Sequence, residues 1–373
     1  MTNLEASPTE VVCASDNAEH ALATDGPPRP ARADDATTRG VVGPQVLIPR
    51  VVPLGGLRAM TVRRTLPQHE RSLIGAWCFA DHYGPDDVAA TGGMAVAPHP
   101  HTGLQTVSWL FSGEIEHRDS LGTHALVHPG ELNLMTAGRG IAHSEVSTSI
   151  ATVLHGVQLW TALPAAHLDA APAFDHYVPP VTVLAGQPAG APGAALVPAE
   201  LRVFLGSLAG TSSPVRSFSP LLGAELVLPR GGTVDLHLDP TFEHGYLVDA
   251  GPVRVDGAEV QPGELAYLPT GRMTVRIAAI AEDDGGPARL LVLGGEPLGE
   301  RVVMWWNFLG RSHGDVVEAR AAWQAEITGT PARQAAARQA TARHAAARFG
   351  EVAGGVAPLP APALPGVKLL PRG

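Results

Sequence analysis

One stretch of this chain occurs twice. "PGELNLMTAGR" at residues 129–139 returns as "PGELAYLPTGR" at 262–272. Solenoid units recur at a much shorter period, so this spacing implies two copies of one domain. A glycine-containing segment lies upstream of each copy, "FSGEIEHRD" and "DAGPVRVDG". In the first half "LQTVSWLF", "HALVHPGELNLM" and "TVLHGVQLWTAL" read as short strands, and in the second "AELVLPRGGTVDLHL", "FEHGYLVDAGPVRVDG" and "PGELAYLPTGRMTVRIAA" do the same. The 42 glycines and 34 prolines suit many turns between short segments better than long helices. Each half is therefore expected to be an all-β barrel or sandwich. A length of 373 residues accommodates two such domains and tails.

The expected organisation starts with a disordered tail over 1–43, which lacks apolar periodicity. A first barrel over 44–180 follows. An Ala-, Pro- and Gly-rich linker covers 181–200, and a second barrel covers 201–325. Residues 326–373 read as an Ala/Arg-rich helix and a Pro-rich extended tail, after a helical "GDVVEARAAWQAEI". Arginines 333, 338, 343 and 348 step by five residues, so they spiral around a helix and make no basic face. With a net charge of -10, the chain is not expected to bind nucleic acid generally; protein partners fit better. Cys13 and Cys78 give no disulfide framework, which indicates a reducing compartment. No apolar run is long enough to span a bilayer, and the N-terminus lacks a basic-then-apolar signal pattern. A cytoplasmic protein without membrane contact is the expectation.

The chemistry is expected in "PHPHTG" and "IAHSEVS". Residues i and i+2 of a strand share a face, so His99 and His101 can converge on one ion. His143 and Glu145 stand at the same spacing. Several short strands fit between the pairs, and an antiparallel barrel brings them side by side. Three imidazoles and one carboxylate suit a divalent first-row metal: Fe(II), Mn, Co, Ni, Cu or Zn. Four protein ligands leave a position open on a five- or six-coordinate ion. The repeat supplies an internal control. Counting on from the shared Gly-Arg places Arg276 at His143 and Ala278 at Glu145, and aligning Gly113 with Gly251 places His237 and Asp239 at His99 and His101. An arginine does not deprotonate to bind a metal, so a single site in the first half is expected.

"PHPHTGLQTVSWLFSGEIEHRDSLG" followed by "PGELNLMTAGRGIAHSE" resembles the signature of the pirin family, two-domain members of the cupin superfamily. The resemblance extends through "GAWCFADHYGP" and "LGGEPLGERVVMWWNF" and covers residues 45 to 325. It implies two tandem cupin (jelly-roll-like) β-barrels, the second metal-free. It also implies His99, His101, His143 and Glu145 as ligands of one metal, with iron the usual assignment. Some pirin-like proteins are quercetin 2,3-dioxygenases, and others are metal-dependent partners of transcription regulators. Two functions follow as expectations. One is a metal-dependent dioxygenase for flavonol- or catechol-type substrates, small aromatic polyhydroxy compounds, with Glu145 accepting a substrate proton. The other is a non-enzymatic metal- or redox-sensing protein that binds a transcription regulator or metabolic enzyme. Many family members carry Glu where this chain has Gln105, which removes one acid/base group.

Other polar residues receive structural readings. His117, Arg118 and Asp119 either line the pocket or form a hydrogen-bonded strand and turn, the second being preferred, and His124 and His128 read as surface or satisfied strand histidines. His155 and Gln158 are candidates for the barrel interior. Trp109 and Trp160 read as core, and Cys78 as a small buried hydrophobe.

Overall fold

The computed structural model describes residues 43–54, 60–188, 197–281, 285–329 and 347–373. The 1–43 tail and the Ala/Arg stretch after 329 thus lie almost wholly outside the described residues. Strands β1 to β12 are Gln45–Leu47, Arg50–Leu54, Met60–Leu66, Trp77–Asp87, Ala95–His101, Leu104–Ser112, Ile115–Asp119, His124–Val127, Leu132–Thr136, Ile141–Ser147, Val153–Ala162 and Ala173–Tyr177. Strands β13 to β24 are Thr182–Pro188, Val197–Leu205, Ser207–Leu208, Thr211–Ser212, Leu221–Leu228, Gly232–His237, Glu243–Ala250, Val253–Val255, Ala258–Val260, Leu265–Leu268, Thr274–Ala279 and Ala288–Gly295. A hairpin of β25 (Val303–Trp305) and β26 (Phe308–Gly310) precedes a helix, His313–Thr328.

The protein is two tandem β-barrels with a short C-terminal helical segment, and the duplication is visible strand by strand. The first barrel pairs a sheet ordered β12-β9-β6-β11-β4-β3-β2 with one ordered β5-β10-β7-β8. The second runs β1-β22-β19-β24-β17-β14-β13 and continues into β18-β23-β20-β21, the same order wrapped into one sheet. The repeated Pro-Gly-Glu-Leu has a backbone reason. Gly130 and Gly263 sit at φ 74° and 90°, each after a proline. The Glu131 and Glu264 amides donate back to the carbonyls of His128 and Gln261. Pro then Gly at the centre of such a turn is the type II pattern, and it launches β9 and β22 in equivalent directions.

Three sequence boundaries shift. The first described strand belongs to the second barrel, because β1 pairs with β22. The 181–200 stretch supplies β13 and part of β14, where Thr182, Leu184 and Gly186 pair with Leu201, Ala199 and Val197. The Pro-rich end packs: Phe349, Val352, Ala361 and Leu369 are buried with Trp305, Trp306, Phe308 and Trp323. That end also braces the first barrel, with Leu359 donating to the Pro98 carbonyl and Ala142 donating to Phe349. Alanine, proline and glycine content predicts irregular backbone, but strand pairing and burial outweigh it here.

The barrels meet through an apolar seam of Trp77, Val107, Trp109, Val157 and Leu159 against Phe204, Leu247, Leu265, Leu291 and Leu293. The Trp77 indole N–H spans it, 3.1 Å from both the Leu222 and Gly294 carbonyls.

Candidate metal centre

The site begins with strand register. β10 lies between β5 and β7, and His143 pairs directly with His99 on one side and with Asp119 on the other. Paired residues project to the same face, so His99 and His143 meet inside the barrel. Between His143 and Glu145 the β5–β10 register shifts, and Glu145 falls opposite Val96 and His117. The extra β5 residue is a bulge, which re-aims side chains locally.

Ring centres lie 4.3 Å apart for His99 and His143, and 5.0 Å for His101 with either. The Nε2 atoms of His101 and His143 face each other at 3.1 Å. One donor atom from each of the three imidazoles falls within 4.8 Å of the others. Glu145 joins a second such group, with His143 and His117, so His143 belongs to both. His99, His101, His143 and Glu145 are each at most 1% exposed.

The donor chemistry fits a divalent metal. The Ala97 carbonyl accepts from His99 Nδ1 at 2.9 Å, which leaves the lone pair on Nε2. That Nε2 is buried with no hydrogen-bond partner. Burial pushes His99 down to about 4, and burial with neighbouring imidazoles holds His101 and His143 well below the ordinary histidine range. Three neutral imidazoles with converging lone pairs are what a cation needs and what protons there would spoil. Ser108 Oγ lies 3.1 Å from Glu145 Oε1 and 2.9 Å from Gln158 Oε1. One hydroxyl proton serves only one of these oxygens at a time. The Trp160 ring stands edge-on to His101, 5.1 Å between centres.

Several residues differ from expectation. Gln105 does not face the imidazoles. It shares a sheet face with Val107 and Trp109, and its amide bonds Thr136 and Thr161 at 2.9 and 3.3 Å. Of the two β11 candidates, Gln158 reaches the site through Ser108, whereas His155 faces the seam. There His155 and His82 both reach Asp249 Oδ1 at 2.7 Å, and Arg289 holds Oδ2 at 2.6 Å. This trio gathers as tightly as metal ligands do. Its surroundings are cationic, however. Arg63 Nη2 is 3.2 and 3.3 Å from the two ring nitrogens of His82, so we read a proton-bearing link between barrels. His117, expected in a structural turn, stands 3.4 Å from His143. Its signal was its place two residues before Asp119 on an inward face.

The internal control needs a corrected register. From the shared Gly-Arg, β23 turns inward one residue sooner than β10. From Leu236 to Gly251 is 15 positions, one more than the 14 from His99 to Gly113. The inward counterparts of His99, His101, His143 and Glu145 are therefore Leu236, Leu238, Val275 and Ile277, all buried in the second core. His237 and Arg276 face out, and Arg276 forms a double ion pair with Asp235 at 2.7 Å. Asp239 accepts from Thr241 on an exposed turn. A one-residue slip moves every side chain to the opposite face.

Comparison with known proteins agrees with this architecture. The pirin family model matches residues 59–161, and the model of the pirin C-terminal cupin domain matches residues 223–329. A Pseudomonas aeruginosa relative is 45% identical over 74% of this chain and 82% of its own length; its name gives quercetin 2,3-dioxygenase as a provisional activity. A pirin-like protein of Caulobacter vibrioides is 35% identical over 71% of this chain and 88% of its own. The crystal structure of a quercetin 2,3-dioxygenase from Acinetobacter baumannii superposes with a TM-score of 0.73 at 34% identity, over 87% of this chain and 97% of that one.

Proposed function

The chain belongs to the pirin family, and from that premise we propose that it is a metal-dependent dioxygenase for flavonol- or catechol-type substrates. The metal ligands in this reading are His99, His101, His143 and Glu145. The observation that carries it is the His99 Nε2 lone pair, buried, partnerless and aimed where His101 and His143 converge. Fe(II) is the first ion to load, with Ni, Co, Mn, Cu and Zn as alternatives the same donors accept. When bound, the metal supplies Lewis acidity that favours loss of a substrate hydroxyl proton. Glu145 receives that proton while Ser108 steadies its Oε1. Trp160 and the barrel walls keep water from the reacting ring.

One observation favours a second reading. The four donors are buried, so a substrate needs the barrel to open before it reaches them. In that reading the metal fixes the conformation of the first barrel, and its outer surface binds a protein partner. Anaerobic metal reconstitution, then oxygen uptake over a flavonol and catechol panel, decides between them. Substrate-dependent uptake that disappears in Glu145→Ala supports the enzyme. Bound metal without uptake for any of the ions supports the binding protein.

A further inference from the structure

We infer that His117, oriented by Asp119, is a positioning residue that sets the tautomer of His143 and so aims the His143 lone pair at the metal. The inference rests on the metal-binding reading above. It does not depend on whether turnover follows.

Asp119 is the fixed end of the chain of contacts. Its Oδ1 accepts from the backbone amides of Leu121 and Thr123, at 2.9 and 3.0 Å, within the turn after β7. That leaves Oδ2 pointing inward, 3.4 Å from His117 Nε2. A carboxylate beside one ring nitrogen favours the proton on that nitrogen. The other, Nδ1, then carries the lone pair. It stands 3.4 Å from Nδ1 of His143. His143 satisfies that acceptor by keeping its proton on Nδ1. Its own lone pair falls on Nε2, the atom 3.1 Å from His101 Nε2. The Phe174 ring, 4.8 Å from that of His117 between centres and tilted 31°, limits rotation of the imidazole. His117 is 3% exposed, so water does not readily substitute for it.

His117 thus does for His143 what the Ala97 carbonyl does for His99. Outer partners of this kind typically change metal affinity about 10- to 100-fold when removed. Asp119→Asn is the sharpest variant. The turn amides keep an oxygen at the Oδ1 position, so the new NH2 faces His117 Nε2. That reverses the His117 tautomer and presents an N–H where His143 needs an acceptor, at almost no change in volume.

The experiment uses full-length protein loaded anaerobically with Co(II). Affinity is read by competition with a chelator and geometry by the visible d–d bands. Circular dichroism of the metal-free protein reports the fold. Asp119→Asn and His117→Ala are expected to bind one Co(II) per chain about 10- to 100-fold more weakly than the wild type, with shifted d–d bands. His117→Gln, whose Oε1 accepts the same N–H, recovers much of the affinity. Wild-type affinity and spectrum in both Asp119→Asn and His117→Ala overturn the inference and leave the metal site standing. Loss of Co(II) from His117→Ala as complete as from His143→Ala makes His117 a ligand, and also overturns it. If His117→Ala does not fold, Asp119→Asn and His117→Gln carry the same test. Wild-type protein that binds no Co(II) overturns the metal site and the inference together.

Discussion

The two barrels share one strand order and differ in what fills them. The second holds an apolar core from Ala199 to Val292, with His244 buried beside Tyr246. The first places His99, His101, His117, Asp119, His143 and Glu145 at inward positions of the same sheet. Leu236, Leu238, Val275 and Ile277 each gain roughly 1.5 to 3 kcal/mol on full burial. Their four counterparts carry polar atoms that cost free energy unless paired. The first barrel therefore gives up stability at its centre, and the second, joined through the Trp77 seam, offers a rigid wall. The contrast teaches that the architecture tolerates either filling, so the chemical difference between the barrels resides in a handful of inward positions on one sheet.

The sharpest way to break this comparison is to make the barrels alike. His99→Leu, His101→Leu, His143→Val and Glu145→Ile together should reduce bound metal from about one per chain to none, since no donor remains. The metal-free variant should melt at or above metal-free wild type, because apolar replacement of buried polar groups is often neutral or stabilising. Elemental analysis and calorimetry check both, and retained metal would show that the site lies elsewhere. The reverse exchange, Val275→His with Ile277→Glu, should cost about 3 to 5 kcal/mol, as an unpaired buried charge does. Denaturant unfolding measures it. A loss under about 1 kcal/mol would mean that the second barrel can hydrate its interior.

A smaller effect is expected at the seam, with metal content unchanged. Asp249→Asn should destabilise by about 1 to 3 kcal/mol by weakening the bonds from His82, His155 and Arg289. Burial opposes ionisation of Asp249, but hydrogen bonds from His155 and His82 outweigh it and hold the carboxyl below its usual range. Burial, aided by Arg63 and His155, lowers His82. A histidine lowered on folding takes up its proton more readily when unfolded. Its contribution is complete above about pH 6.5 and drains away as pH falls towards the folded value. Asp249, also lowered, contributes above about pH 3.9 and is lost at more acidic pH. Stability measured from pH 8 to 4 should fall below about 6.5, and His82→Phe should flatten that limb. An unchanged slope would remove His82 from the account.

The smallest effect is expected at Gln105. Lying on the far face of β6, it is not placed to supply an acid, so Gln105→Glu should leave turnover within about threefold of wild type. A gain of the 10²- to 10⁴-fold that a placed acid/base gives would show that the side chain reaches the metal.

Much of this was legible in the residues alone. The duplicated Pro-Gly-Glu-Leu announces two copies because a type II turn needs Pro and Gly at those two positions. His99 with His101, and His143 with Glu145, share faces because strand side chains alternate. Tertiary structure decided the rest through register. β23 turns inward one residue sooner after the shared Gly-Arg than β10 does, which exchanges Arg276 for Val275, and no local pattern marks the slip. The β7–β10 register sets Glu145 opposite His117, which turns a histidine expected in a strand and turn into a neighbour of the candidate metal site. Gln105 falls on the seam face because it stands an odd three residues from inward-facing Ser108 on the same strand. The β1–β22 pairing joins residues that are distant along the chain. Alternation along one strand is a local property that sequence carries. Which residue stands opposite on the next strand depends on turn lengths and bulges, and only the assembled sheet sets those.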